Sequence, residues 1–195
     1  MPALYGHQTF DRVRSSTMSV RSLNHAVLFV SEVQRSVDFY VDVVGFDLLP
    51  GGFPGVAFLR GKASPNDHDL GLFTATSPRP ADGAVGLYHL AWEVATLGDL
   101  AAARDRLHAA GALTGAANHA ATKALYARDP DGNEFEMTWL VPDELLSAEM
   151  VPGTPPTRPL DLAAEIERYG AATPGGPRRD RELIARVAAA MAGRN

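Results

Sequence analysis

The sequence predicts an α+β fold in which two β-α-β-β-β modules enclose a cleft. Three observations support this prediction. Two segments, about 22–78 and 87–141, repeat the same order of elements, and internal repeats of this kind define an architecture. Each repeat opens on a strand-like run that contains a histidine, and each has a helix that ends at a glycine. Two small sheets that face each other form a cleft, where ligands bind.

The first repeat begins with the strand-like run 24-NHAVLFV-30. An amphipathic helix is predicted over 33–46, ending near Gly45. The runs 55-GVAFLRG-61 and 70-LGLFTAT-76 then have the apolar, β-branched and aromatic composition of strands. The first module therefore contains a histidine strand, a helix and at least two further strands.

The second repeat has the same order after a linker rich in proline and glycine. It begins with the strand 88-YHLAWEV-94 and continues with a helix over 97–112 that ends at Gly111. The strands 124-ALYAR-128 and 134-EFEMTWL-140 follow. The match in order and spacing predicts that the two modules are related by pseudo-symmetry.

The two ends of the chain have a different character. Residues 1–20 show no helical or strand period and are predicted to form an N-terminal arm before a domain at 21–141. Residues 142–195 form a proline-rich extension with helical patterns at 160–169 and 181–193. Their apolar stripes predict that these helices pack on the body or on another subunit, and we expect a homo-oligomer.

Composition excludes several classes of function. The chain has 195 residues, no cysteine and a net charge of −5. A disulfide framework and a Cys-ligated zinc site are therefore impossible, and any metal needs His, Asp or Glu ligands. The acidic balance argues against a nucleic-acid partner, and no apolar run has the length of a membrane span. The N-terminus lacks the apolar core of a signal peptide, so we expect a cytoplasmic protein with a small-molecule substrate.

Two histidines occupy equivalent positions in the two repeats. His25 and His89 both lie at the start of the opening strands. A single strand histidine is usually a hydrogen-bonded core or surface residue, and that interpretation stays open for each. Pseudo-symmetry would place both in the cleft, where neutral imidazoles are ready ligands for a divalent metal.

The stretch 129-DPDGNEFEMTW-139 contains four carboxylates. Asp129 and Asp131 flank a proline and precede a glycine, a pattern typical of a tight turn, so both are predicted to be structural. Strand alternation then places Glu134 and Glu136 on one face. Both could face solvent, but Glu136 is nearer the middle of the strand, and a carboxylate buried there needs a cation.

Two histidines and one carboxylate on three strands form the facial triad typical of non-haem Fe(II) sites. Together with the DPDGN-x-x-E motif, this pattern over residues 22–141 resembles the vicinal oxygen chelate superfamily, and within it the extradiol (catechol 2,3-dioxygenase) branch. The resemblance implies that His25, His89 and Glu136 bind Fe(II), with Mn(II) as the alternative metal. It also implies that an aromatic diol and O2 are the substrates.

Further residues match the extradiol pattern. In 68-HDLGLF-73 and 118-NHAATKALY-126, the resemblance assigns His68 to acid–base work, His119 to substrate contact and Tyr126 to a substrate oxygen. Each also has a plain alternative: a solvated turn residue, a loop histidine and a packing aromatic. Asn118 and Ala120 depart from the Asp-His-Gly segment of many relatives, which leaves the pose of this loop open.

Two other functions remain open from the sequence. One is a glyoxalase-like isomerase or a transferase on the same fold, which generally takes another metal carboxylate from the first module. The corresponding position falls near Gly71, which has no side-chain ligand, and this weakens that alternative. The other is a metal-free binding protein of the bleomycin-resistance type, against which the complete ligand set argues.

Overall fold

The computed structural model describes residues 22–78, 81–148 and 157–176. The predicted N-terminal arm (1–20) and the predicted helix 181–193 lie outside these ranges. Within them the chain folds into two β-sheets, each covered on one face by helices. The predicted fold class is confirmed.

The first module forms a four-stranded sheet in the order β1-β4-β3-β2. Its β1 runs parallel to β4, and the other neighbours are antiparallel. The short β2, which the sequence pattern did not reveal, pairs only its two residues with β3. The strands are β1 (Ala26–Val30), β2 (Asp47–Leu48), β3 (Val56–Arg60) and β4 (Leu70–Thr74).

The predicted first helix forms in two parts. Helix α1 (Val33–Asp38) begins where the Glu32 carboxylate accepts hydrogen bonds from the first backbone N–H groups. It continues as a π-helical turn, Phe39–Val44, which ends at Gly45 with φ of 105°. The wider turn is closed by the Gly45 N–H, which donates to the Tyr40 carbonyl at 2.9 Å. Glycine adopts this left-handed conformation without steric cost.

The second module repeats this topology and adds one strand. Its sheet has the order β5-β8-β7-β6-β9, with β5 parallel to β8 and every other pair antiparallel. The added strand β9 comes from the C-terminal extension. The strands are β5 (His89–Glu93), β6 (Leu113–Asn118), β7 (Thr122–Arg128), β8 (Glu134–Leu140) and β9 (Arg158–Pro159).

Helix α2 (Leu97–Ala109) packs on the second sheet. Thr96 and Asp99 form a reciprocal capping box, in which each side chain accepts the other residue's backbone N–H. Leu97, Leu100 and Leu107 lie on one face of the helix and are fully or almost fully buried. This face attaches the helix to β8, β7 and β6, and no helix of the described ranges packs on the opposite face of the sheet.

One hydrophobic core joins the helix-covered faces of both sheets. The Tyr40 ring lies 6.1 Å from the Phe135 ring, and the Phe46 ring lies 5.1 Å from the Trp92 ring. These contacts cross from one module to the other. Because the apolar sides of both sheets are used in this core, the other faces carry the histidines and glutamates predicted to bind a ligand.

The turn after β7 fastens the two modules together. Asp129 is buried and accepts hydrogen bonds from Asn133 and from the Tyr40 hydroxyl (3.1 Å). Asp131 accepts from the Ser31 backbone and hydroxyl and from Arg35 Nη2 at 2.8 Å. Both aspartates are therefore structural, as the turn pattern predicts. We call the Asp131–Ser31–Arg35 set the clasp.

The described part of the C-terminal extension packs on the second module. After a 3₁₀ helix (Asp143–Ala148), helix α3 (Leu162–Tyr169) lies within the predicted 160–169 segment and contacts α2. The following residues bond to the body: the Gly98 N–H donates to the Ala171 carbonyl at 2.7 Å. No helix in the described ranges combines the length and apolar character that crossing a membrane requires.

Candidate metal centre

Most of the predicted site residues lie on the face of the second sheet opposite helix α2. His89 opens β5 and Glu136 lies in the middle of β8, and His89 Nε2 is 3.4 Å from Glu136 Oε2. The residue beside Glu136 on β5 is Ala91. Because the Ala91 side chain is short, the His89 imidazole can occupy the space next to the Glu136 carboxylate.

Glu136 is a carboxylate held away from water. Only 12% of its side chain is exposed. Burial raises the pKa of this carboxyl, and the imidazoles of His89 and His119 act in the opposite direction. His89 Nδ1 is buried and has no hydrogen-bond partner among the described residues. A mostly buried carboxylate whose oxygen faces an imidazole nitrogen is a donor pair that suits a divalent cation.

His119 and Tyr126 extend this cluster. Tyr126 on β7 is directly opposite Glu136 on β8, and its hydroxyl is 2.8 Å from His119 Nε2. Burial, followed by the negative charge of Glu136, raises the pKa of the Tyr126 hydroxyl. The hydroxyl therefore keeps its proton at neutral pH and can donate a hydrogen bond.

His25 and His68 form a separate pair in the first module. His25 is exposed, its Nδ1 is 2.7 Å from Asn24 Oδ1, and its ring centroid is 4.5 Å from that of His68. His68 is mostly buried, with Nδ1 3.3 Å from Asp67 Oδ2. The two predicted roles, metal ligand and acid–base group, thus fall on neighbouring imidazoles.

The six predicted site residues therefore form two groups. His89, Glu136, Tyr126 and His119 are together on the second sheet, and His25 and His68 are together on the first. Within residues 22–78, 81–148 and 157–176, no three His, Asp or Glu side chains are close enough to hold one metal ion. The structure unites two of the three predicted ligands and leaves His25 apart from them.

The strand register shows what the first module lacks. Val27 pairs with Gly71 in β1 and β4, as Ala91 pairs with Glu136 in β5 and β8. Gly71 is therefore the counterpart of Glu136. The first module has no carboxylate at the position where the second has its predicted metal ligand.

A cavity of about 760 Å³ lies between the modules. Val27 and Phe29 border it from the first sheet, and Leu87, Tyr88 and Glu134 border it from the second. It adjoins the cluster because Tyr88 precedes His89 and Glu134 pairs with His89 in register. The cavity has an apolar side and a charged side.

Sequence reasoning missed several residues around this site. Thr157 Oγ1 is 3.1 Å from His119 Nδ1, and the buried Lys123 lies under the same loop. A polar residue 38 positions along the chain gives no local signal of this contact. Trp92 on β5 packs against Phe46 on the core side and so faces away from the site.

Comparison with known families agrees with this geometry. The family model for the Glyoxalase/Bleomycin resistance protein/Dioxygenase superfamily matches residues 22–137, more than half of the chain. The chain belongs to this superfamily. The match covers both modules and the turn with Asp129 and Asp131, and it ends just after Glu136.

Curated relatives of this chain include proteins named as dioxygenases. The chain is 30% identical over 119 residues to a catechol-2,3-dioxygenase of Bacillus subtilis (strain 168), and the match covers 59% of this chain and 40% of the relative. It is 33% identical over 128 residues to a biphenyl-2,3-diol 1,2-dioxygenase of Rhodococcus globerulus, and this match covers 62% of this chain and 65% of the relative. The chain thus spans less than two thirds of the length of these relatives.

Solved structures support the fold. A glyoxalase/bleomycin resistance protein/dioxygenase domain from Frankia sp. EAN1pec matches with a TM-score of 0.51 at 23% identity, over 62% of this chain and 98% of that one. A glyoxalase/dioxygenase from Nostoc punctiforme matches with a TM-score of 0.50 at 22% identity, over 63% of this chain and 97% of that one. These matches establish a shared architecture of two modules.

Proposed function

We propose that this protein is an extradiol dioxygenase that opens the ring of a catechol-type diol with O2. The observation that carries the proposal is the array on the second sheet, where His89, Glu136, Tyr126 and His119 are joined by contacts of 3.4 Å and 2.8 Å. An array of two metal-ligand types beside an imidazole–phenol pair suits a reaction that needs both a metal and proton transfer. The named activity of the relatives points the same way.

The proposed metal is Fe(II), with Mn(II) as the alternative, held by His25, His89 and Glu136. His89 and Glu136 suit this role because the carboxylate is mostly buried and its Oε2 lies 3.4 Å from His89 Nε2. His25 completes the set if its exposed ring turns from Asn24 toward the cavity. When bound, the metal would hold the two diol oxygens and O2 together and transfer electrons between them.

Tyr126 and His119 are proposed to bind substrate oxygens and move protons. The raised pKa of Tyr126 keeps the hydroxyl protonated, so this group can donate a hydrogen bond to a bound diol oxygen. His119 Nε2, 2.8 Å away, can exchange a proton with that hydroxyl. His68 is proposed as a second acid–base group that enters from the first module beside His25.

The cavity is proposed to hold the aromatic ring. Val27, Phe29 and Leu87 supply apolar surface to its lining, and Glu134 and Arg128 supply charged groups. An apolar wall suits the ring, and a polar edge suits its hydroxyl groups. On this assignment the chemistry belongs to the proposed 21–141 domain, and the cavity lining includes none of the described residues of the extension, 142–148 and 157–176.

The test is turnover by metal-defined protein. Protein purified without oxygen and loaded with Fe(II) should consume O2 and diol in equal amounts and form a yellow ring-opened product. Catechol and biphenyl-2,3-diol are the first two substrates to compare, and metal-free protein is the control. Oxygen uptake without ring opening, or turnover of a methylglyoxal–glutathione adduct in its place, would contradict the proposal.

A further inference from the structure

We infer that the C-terminal segment, residues 157–176, positions His119 for the proposed dioxygenase reaction, on which this inference rests. The segment reaches the histidine directly, since Thr157 Oγ1 is 3.1 Å from His119 Nδ1. Strand β9 follows at once and pairs with β6, opposite Ala117 and Asn118. The extension therefore holds both the imidazole and the strand that leads to it.

The loop that carries His119 has a conformation that needs support. Ala120 has φ of 63°, in the left-handed region that residues other than glycine seldom occupy. Asn118 Oδ1 accepts the Ala120 N–H at 2.9 Å, and the His119 N–H donates to the Thr122 carbonyl at 2.8 Å. A backbone held in an unfavourable region persists where its surroundings determine it.

Part of that support comes from helix α3. Lys123 is completely buried, and its ammonium donates to Asn118 Oδ1 and to the Ala120 carbonyl, both at 3.0 Å. Glu165 on α3 lies 3.3 Å from this ammonium and accepts the Asn118 amide at 2.7 Å. The extension thus supplies a buried carboxylate to the network that holds the loop.

The two contacts act on the same side chain from different directions. Asn118, tied to Glu165, fixes the backbone one residue before His119. Thr157 and Tyr126 then bond the two ring nitrogens, Nδ1 and Nε2. With both nitrogens and the preceding backbone held, the imidazole has one orientation toward the Tyr126 hydroxyl. Thr157 is therefore a positioning residue, since it acts through His119.

The hydrogen bonds also couple the position of the ring proton to the two hydroxyl groups. The bond that one ring nitrogen makes decides which nitrogen carries the proton. Where the Tyr126 hydroxyl donates to Nε2, the proton lies on Nδ1 and is donated to Thr157 Oγ1. Where Nε2 carries the proton and donates to Tyr126, the Thr157 hydroxyl donates to Nδ1. Loss of the Thr157 hydroxyl removes the partner of Nδ1 in either form.

The direct test uses nitrogen-15-labelled histidine and NMR of the metal-free protein. The His119 signals are assigned by their loss in His119→Asn. Thr157→Val, which keeps the shape of the side chain, should shift the two ring nitrogens toward the averaged values of a freely exchanging imidazole. Thr157→Ser should restore the wild-type signals. Thr173→Val is the matched control, because the Thr173 hydroxyl bonds to the Tyr169 carbonyl and leaves His119 untouched.

Turnover gives the second measurement. In Fe(II)-loaded protein, Thr157→Val should lower kcat by about 2- to 13-fold, the factor that corresponds to one hydrogen bond. KM and iron content should stay at wild-type values, and Thr157→Ser should recover the rate. Thr173→Val should match wild type.

A change at Glu165 tests the network under the loop. Glu165→Gln keeps an acceptor for the Asn118 amide and removes the negative charge beside Lys123. It should broaden or shift the His119 signals in protein that remains folded. Where this variant does not fold, Thr157→Val still decides the question.

The two proposals fail in different ways. Unchanged His119 signals and unchanged kcat in Thr157→Val would overturn the positioning role, whatever reaction the protein catalyses. Shifted signals in a protein without diol turnover would support the positioning role and contradict the proposed reaction.

Discussion

The two modules share a topology and differ in what they offer a ligand. Both sheets place the opening histidine strand parallel to the last strand of the module. In the second module the half-buried His89 contacts a mostly buried carboxylate, whereas in the first the exposed His25 contacts the ring of His68. The comparison teaches that the repeated fold supplies equivalent positions, and that the residues at those positions divide the chemistry between the modules.

The difference between Gly71 in the first module and Glu136 in the second involves local packing as well as residue type. A Cβ atom on Gly71 would lie 3.2 Å from the Phe73 ring and 3.3 Å from a Val27 methyl. Contacts this short require the neighbouring side chains to give way by a few tenths of an ångström. A carboxylate at the position equivalent to Glu136 would therefore need the Phe73 and Val27 side chains to move, so the asymmetry involves the neighbours of Gly71 as well as the residue itself.

The edges of the sheets differ too. The first sheet ends in β2, a strand of two residues. The second sheet continues from β6 to β9, so its edge is paired with the C-terminal extension. This added strand lies next to the loop that carries His119. The additional strand pairing therefore occurs in the module that contains His119 and Tyr126.

The largest effect is expected at Glu136, the carboxylate unique to the second module. Glu136→Ala should abolish stoichiometric iron binding and, with it, turnover, because the buried ligand beside His89 is lost. Glu134→Ala is the matched control on the same strand and face. Its carboxylate is 3.7 Å from Arg128, so iron binding should remain nearly intact. Equal loss in both variants, measured by metal analysis after dialysis, would reject the assignment.

The next effect concerns His68, the acid–base candidate of the first module. His68→Phe keeps a ring against His25 and Phe58 and removes the ionisable nitrogens. Iron content should stay constant, while kcat should fall about 10²–10⁴-fold, the usual range for general acid–base catalysis. His108→Phe, at an exposed position in α2, is the control. Oxygen uptake above about a third of the wild-type rate would make His68 a bystander.

A smaller effect is expected when the clasp between the modules is opened. Asp131→Ala removes the acceptor for Ser31 and for Arg35 Nη2 (2.8 Å). We expect the free energy of unfolding to drop by about 1–3 kcal/mol, the range for hydrogen bonds to a charged group, reduced because Arg35 is half exposed. Asp105→Ala breaks an exposed pair with Arg104 and should change stability by less than about 0.5 kcal/mol. Urea denaturation of both variants measures the difference, and equal losses would contradict the clasp.

The smallest effect is the pH dependence that Glu136 gives the metal-free protein. Burial raises the pKa of this carboxyl in the folded state above its ordinary 4.5. The folded state then binds the proton on Glu136 more tightly than the unfolded state does. The stability that the protonated carboxyl contributes is therefore lost as the pH rises through the raised pKa. Glu136→Gln should therefore gain stability relative to wild type as the pH increases from 4.5.

Thermal unfolding in the presence of a chelator checks this pH dependence. The difference in Tm between the Gln variant and wild type should widen with pH and then level off. A constant difference would show that Glu136 has the same proton affinity in the folded and unfolded states. Glu134→Gln, on the same face, is the control.

The repeat, the element types and the turn were predictable because their signals are local. Helix α2 has an apolar period and a capping pair, and β8 alternates so that Glu136 and Phe135 face opposite sides. The turn residues Asp129 and Asp131 have the composition that bends a chain. Strands β2 and β6 were missed, because β2 has two residues and much of β6 is alanine and glycine, so that pairing with neighbours creates them.

By itself, the sequence determined the superfamily, the two-module fold and a candidate ligand set, since each depends on residue order or short periodicity. Only the tertiary structure decided which candidates meet: His89 with Glu136, His119 with Tyr126, and His25 with His68. It also revealed the contact between Thr157 and His119, 38 residues apart. Contacts over such separations arise from the packing of whole elements, and no local pattern of residues records that packing.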